Sequence, residues 1–313
     1  MLKFLFGRLA IMVPTLLLVT VIVFLLQNLL PGDPVIAMAG ENRDPEVIAH
    51  LRAKYHLDEP LPVQYGIWLG GVLQGDFGQS LHIERPVLEL ALEKLPVTLQ
   101  LAGMAMVIAL VIGVTAGTLA AVKHNTWIDH AVRIAGLCGL STPNFWLGIL
   151  LILLFSVELG WLPASGYVSP AEDLWANLKS MIMPAFVLGN AVAAILMRHT
   201  RSAVLQEMRE DYVRTAIAKG LPRRKVIVRH VLYNALVPII TLAALEFGLL
   251  LSGAILTEQV FTIPGFGKLI VDAVFNRDYA VVQGVVLCTA TIYMVLNLAA
   301  DLAYFMVNPR MRR

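Results

Sequence analysis

Charge is what this sequence has least of. Asp, Glu, Lys and Arg together supply only 15% of its 313 residues, too few to wet the surface of an ordinary soluble domain, and a mean hydropathy of +0.74 excludes that class. Cysteine is nearly absent as well. Cys138 and Cys288 both fall inside apolar runs, so neither a disulfide framework nor a thiolate metal site is available. The histidines (His50, His56, His82, His124, His130, His199, His230) lie in or beside loops without ligand spacing, and no His-Glu-x-x-His, Gly-x-Ser-x-Gly or Cys-x-x-Cys occurs. Ser165-Gly166 reads as a turn. A phosphate-binding loop is missing too, because Gly267-Lys268 lacks both the upstream glycine and the downstream hydroxyl. These absences leave no catalytic, metal or nucleotide site, and nothing in the chain calls for nucleic acid. Work driven by ATP would need the ATP to be bound by another chain.

What the sequence has is apolar runs of roughly 20 residues, the length that crosses a ~30 Å hydrocarbon core as a helix. They predict an all-α integral membrane protein with six transmembrane helices. The first, within residues 1–30, follows Lys3 and Arg8 and stops at Pro31-Gly-Asp-Pro34. A signal peptide cleaved after Ala37-Met-Ala39 is the rival reading, but the apolar core exceeds the usual ~7 to 15 residues and the alanines lie far beyond it. The others are expected at about 99–122, 134–159, 181–197, 237–256 and 280–307. Gly103, Gly113, Ala116 and Gly117 would let a neighbour approach the second closely. Ser141-Thr-Pro143 interrupts the third, which a bundle tolerates where a neighbour satisfies the freed carbonyl. Residues 31–97 form an outer segment with short helices. Asp44-Pro45-Glu46 offers a cap, a first-turn proline and an early carboxylate for one. Ile67, Trp68, Leu69 and Val72 give another, over Val63 to Leu73, an apolar face that ends before the Gly75-Asp-Phe-Gly78 break.

Orientation follows from basic residues at the span ends. With the N-terminus inside, the inner segments hold Lys3, Arg8, Lys123, Arg133, the cluster from Arg198 to Arg229, and Arg310, Arg312 and Arg313 of the tail at 308–313. That is about two-thirds of the 24 Lys and Arg. Both termini are therefore expected in the cytoplasm. Glu246 in the fifth span and Asp301 in the sixth are costly in hydrocarbon and need either a hydrogen-bonding neighbour or a polar pathway, with Glu246 the pathway candidate.

The inner loop 198–236 is longer than orientation requires. Val204, Leu205, Met208, Tyr212 and Ala216 recur on one helical face, Gly220 and Pro222 stop that helix, and a second rises from Arg223 into the fifth span. A short helix held beneath the membrane can act as a lever. The bland alternative is a solvated basic linker.

The run Asp211-Tyr-Val-Arg-Thr-Ala-x-Ala-Lys-Gly220-Leu221-Pro222, with His230 and Asn234-Ala-Leu-x-Pro238, resembles the cytoplasmic signature loop of binding-protein-dependent ABC import permeases, in their dipeptide and oligopeptide branch. Leu30-Pro-Gly-Asp-Pro34, Gly75-Asp-Phe-Gly78 and Thr257-Glu-x-x-Phe-x-x-Pro264-Gly-Phe-Gly267, leading to Arg277-Asp-Tyr279, resemble the same branch. One departure is Ala280, where the branch commonly has proline, a change expected to loosen the start of the sixth span. The resemblance implies a type I ABC importer transmembrane domain, with a permease core at 98–307. It also implies a second permease subunit, two ATPase subunits carrying ATP and Mg, and an outer binding protein, all in a bacterial inner membrane. Asp211, Tyr212, Arg214, Thr215, Ala216, Lys219 and Gly220 would then couple to the ATPase, with Leu221, Pro222, Asn234 and Pro238 forming the exit of the loop. Di- or oligopeptides are the substrates it implies, or a related solute such as glutathione or a nickel chelate. An ion-coupled secondary transporter would explain the spans but not the lever, and an intramembrane enzyme requires groups the chain lacks.

Overall fold

Every apolar stretch falls on a helix in the computed structural model, which describes residues 2–29, 44–54, 57–80 and 82–307. Leu30-Pro-Gly-Asp-Pro34, Ala37-Met-Ala39, Arg310, Arg312 and Arg313 lie outside those residues, as does the side chain of Asp301. In chain order the helices are α1 (Leu2–Leu29), α2 (Pro45–Lys54), α3 (Leu61–Leu73), α4 (Val87–Val122), α5 (Trp127–Ser141), α6 (Asn144–Glu158), α7 (Leu174–Glu207), α8 (Asp211–Ala218), α9 (Arg223–Phe261), α10 (Phe266–Phe275) and α11 (Tyr279–Val307). No strand occurs among the described residues.

α4, α7, α9 and the Tyr279–Leu298 part of α11 are long and apolar enough to cross a membrane, and α5 with α6 makes a fifth span if the bent pair is counted as one; α1 adds the shorter apolar stretch Ala10–Leu25. Several helices outrun the apolar stretches they carry. α4 starts at Val87 and α7 extends from Leu174 to Glu207, because hydropathy marks only the part that suits hydrocarbon while the backbone ladder continues into polar sequence.

The third apolar run does not continue straight. α5 and α6 meet at an angle of 104°, and the cause is local. Pro143 has no N–H to give the Gly139 carbonyl four residues earlier. Asn190 of α7 donates from Nδ2 to that carbonyl at 2.9 Å, so the neighbour that the break requires is a single amide. The last turns of α6, from Ile152 to Glu158, widen into π-type geometry.

The chain forms two compact units, one of Met1–Pro96 with Gly265–Val295 and one of Val97–Pro264 with Leu296–Arg313. In the first, Phe24 of α1 stacks edge-on against Tyr65 of α3 with ring centroids 5.4 Å apart, and Thr20 and Tyr65 share a hydroxyl hydrogen bond of 2.8 Å. Of the face expected on α3 only Ile67 is exposed, while Trp68, Leu69 and Val72 are half-buried; Leu61, Val63 and Leu73 are exposed on its other sides. The Asp44 carboxylate accepts from the Glu46 amide and caps α2. The core of this unit is Val87, Leu90 and Ala91 packed with Phe266, Leu269, Ala273, Val281 and Val285. Asp278, buried beside it, accepts from the Ser80 hydroxyl at 2.5 Å and from the Val281 amide at 3.4 Å. That cap, two residues before Ala280, holds the start of α11.

In the second unit α4 and α7 approach along a seam of small residues. A Cβ added at Gly117 would lie 2.5 Å from the Met197 carbonyl, and one at Gly189 2.5 Å from the Ala105 carbonyl. Gly113 meets Leu196 and Ala193 in the same way. The seam corrects two sequence expectations: Gly103 has nothing within 4 Å, and Ala116 is only half-buried. Positions 105, 109, 113 and 117 recur every four residues on one face, while 103 lies on the far side of the helix and 116 falls beside the seam.

Candidate functional site

α7 runs past its apolar stretch and ends at Glu207; a turn over Met208, Arg209 and Glu210 then delivers the chain into α8. The expected single helical face from Val204 through Ala216 is therefore broken, and the two halves belong to different helices. They still meet. Val213 and Ala216 of α8 are buried against Ala121, Val204, Val226, Val231 and Ala235, with Met208 and Leu221 at the edge. An isolated helix of this length is marginal in water, so this apolar anchorage is what holds it.

α8 ends by glycine geometry. Gly220 adopts φ +75°, and the Gly220 and Leu221 amides donate back to the Ile217 and Ala216 carbonyls at 2.9 and 3.3 Å. This pair of bonds closes a helix when the next residue can turn left-handed, and Leu221 packs on the same core as Ala216. Pro222 then starts α9, its carbonyl accepting from the Lys225 and Val226 amides.

Anchorage on one side leaves the other bare. Asp211, Arg214, Thr215, Ile217, Ala218 and Lys219 are all exposed, and the Arg214–Asp211 contact of 3.3 Å between two exposed groups adds little stability. Ala216, which the sequence placed among the partner-facing residues, is 7% exposed and faces inward. Tyr212 belongs to neither side. Its hydroxyl donates to Glu207 Oε2 at 2.5 Å and accepts from Asn234 Nδ2 at 3.0 Å, while Asn234 also donates to the His230 carbonyl at 3.0 Å. Burial, and then the Glu207 carboxylate, push the phenol above its usual pKa. Tyr212 and Asn234 thus tie α8 to the root of α9, over the π-type stretch Val226–Leu232. Pro238 stands exposed one turn above Asn234, and Glu246 is half-buried further along.

A second polar knot braces the same end of the unit. Arg201, on the polar end of α7, grips the fully buried Asp129 with two bonds of 2.7 Å, from Nε and from the guanidinium Nη2. The Asn125 amide and His124 complete the ring around that carboxylate. Sequence reading missed Glu207, Asp129 and Arg201, whose partners are set by how the helices cross and not by any local spacing.

Comparison with known proteins closes the case. Residues 113–313 match the family described as "Binding-protein-dependent transport system inner membrane component", and residues 1–102 match its companion, "Binding-prot-dependent transport system membrane comp, N-term". The chain is 42% identical over 333 residues to a di/tripeptide transport system permease protein, DppB, of Pseudomonas aeruginosa (strain UCBPP-PA14), covering 100% of this chain and 99% of that one. It is 43% identical over 312 residues to a glutathione transport system permease protein, GsiC, of Salmonella choleraesuis (strain SC-B67), with the same coverage. Among solved structures, an inward-facing form of the MetNI methionine ABC transporter matches with a TM-score of 0.57 at 17% identity, over 71% of this chain and 97% of that one. The chain belongs to the binding-protein-dependent transport family and is a multi-pass inner-membrane permease subunit of an ATP-driven ABC importer.

Proposed function

We propose that this permease imports di- or oligopeptides or closely related solutes, and that the bare face of α8 is what its ATPase grips. Two ATPase subunits carry the ATP and magnesium, a second permease subunit helps to enclose the pathway, and an outer binding protein delivers the substrate. Both termini lie on the cytoplasmic side, in keeping with the bias of Lys and Arg toward the inner segments. The substrate class rests on relatives whose names specify di/tripeptide and glutathione transport.

The observation that carries the coupling role is the two-sidedness of α8. Val213 and Ala216 fasten it to the permease, and Asp211, Arg214, Thr215, Ile217 and Lys219 are left for a partner. A displacement imposed on that face passes through Tyr212 and Asn234 to α9, which is how closure of an ATPase pair would turn the pathway.

Gly220→Val tests this. A β-branched residue at φ +75° costs roughly 1–3 kcal/mol of backbone strain, enough to unseat a helix of two turns. With the transporter co-expressed and reconstituted, the variant is expected to insert normally but either to lose the ATPase during purification or to hydrolyse ATP without dialanine uptake. Wild-type uptake by Gly220→Val would reject the coupling role.

A further inference from the structure

The apolar stretch of α9 extends from Val237 to Leu256, and Glu246 stands at its midpoint. Its side chain is half-buried and has no hydrogen-bond or ion-pair partner among the described residues. The other carboxylate on this helix behaves differently: Glu258 is fully buried and accepts from the Thr98 hydroxyl at 2.6 Å. One acid is built into the packing, and the other stands at its edge.

Position on the helix explains the difference. The flank carrying Ile239, Ala243 and Leu250 is buried, the flank carrying Leu245, Leu249 and Ser252 is open, and Glu246 lies at the border between them. Two turns on, on the same side of the helix, is Gly253, which is itself exposed; a Cβ there would come no closer than 3.6 Å to Leu188. The carboxylate therefore has no donor among the described residues. Hydrocarbon is the wrong solvent for such a group, so it faces a water-filled passage or a cation.

We propose that Glu246 is a binding residue of the translocation pathway and receives the protonated amino group of the substrate as that group crosses the middle of the membrane. This rests on the peptide reading above. A free peptide carries an ammonium at neutral pH, and that cation meets its largest solvation barrier at the depth where Glu246 stands. A single carboxylate offsets the barrier without the multiple charges that would trap the ligand, and conduction requires such a balance between entry and release.

The test uses the complete transporter, purified with its partner subunits and placed in liposomes, with dialanine as the probe. Replacing a charge-assisted hydrogen bond by a neutral one is expected to lower dialanine uptake by Glu246→Gln roughly tenfold or more. Basal ATP hydrolysis and recovery of all subunits should be unchanged. Glu246→Asp should keep uptake within about threefold, since it retains the charge and shifts it by one methylene. Uptake by Glu246→Gln equal to wild type overturns the proposal. So does failure of both variants to assemble with their partners, which would make Glu246 a structural contact. If the wild-type assembly takes up no dialanine, the peptide reading falls and the role of Glu246 with it, whereas wild-type uptake beside an unaffected Gln variant removes the inference alone.

Discussion

At the scale of single residues, Asn190 shows how a membrane chain handles a broken helix. Water cannot rescue an orphaned carbonyl in hydrocarbon, so the Gly139 oxygen freed by Pro143 needs a donor from protein, and Asn190 Nδ2 supplies it. Gly139 makes the approach possible, because a Cβ there would lie 3.2 Å from the Asn190 amide oxygen. Removing the amide should cost about 1–3 kcal/mol, the range for stranding a buried acceptor. The cost should shrink when Pro143→Ala restores an N–H to the backbone. A double-mutant cycle on unfolding of the purified protein, combining Asn190→Ala with Pro143→Ala, measures this. Equal costs in both backgrounds would show that Asn190 answers to something other than the proline. The need for a donor was legible in Ser141-Thr-Pro143, but its identity was not, since a partner 51 residues away leaves no local pattern.

Among the helices, the α4–α7 crossing is the most exacting contact. Backbone meets backbone there, so neither side has a flexible atom with which to yield. Gly189→Ala places a methyl 2.5 Å from the Ala105 carbonyl and must push the helices apart, at a cost of roughly 1–3 kcal/mol. Gly103→Ala has 4 Å of clearance and should be neutral or mildly stabilising, because alanine favours helix over glycine by about 1 kcal/mol. Thermal denaturation of the two variants in detergent should separate them clearly; equal melting temperatures would sink this account of the seam. Small residues in the sequence announced that such a contact exists. Gly113 and Gly117 were read correctly and Gly103 was not, because composition alone does not give the rotation of a helix about its axis. The same limit applies to α8, where Tyr212 and Ala216 were read on one helical face and the structure buries Val213 with Ala216 instead.

For the molecule as a whole, the class was the easiest feature to read. Span length and hydropathy are local properties that the bilayer imposes directly, and the loop motifs are continuous in sequence. The division into compact units was harder, because it depends on which distant segments pack together. The proposed orientation has its own check, with Cys138 and Cys288 replaced by alanine. A cysteine in place of the exposed Glu172 should react with a membrane-impermeant maleimide in intact spheroplasts, whereas one in place of the exposed Lys219 should react only after permeabilisation. The opposite pattern would invert the topology.

The first unit also sets an order for biosynthesis. Its core joins Val87, Leu90 and Ala91 to Phe266, Leu269 and Val281, so the early half of that core is made long before its other half leaves the ribosome. Val97–Pro264, by contrast, arrives as one continuous stretch. The end of the molecule that is synthesised first is thus among the last to be finished, and a ribosome stalled before Gly265 leaves a protein whose second unit is largely supplied and whose first has no core to close.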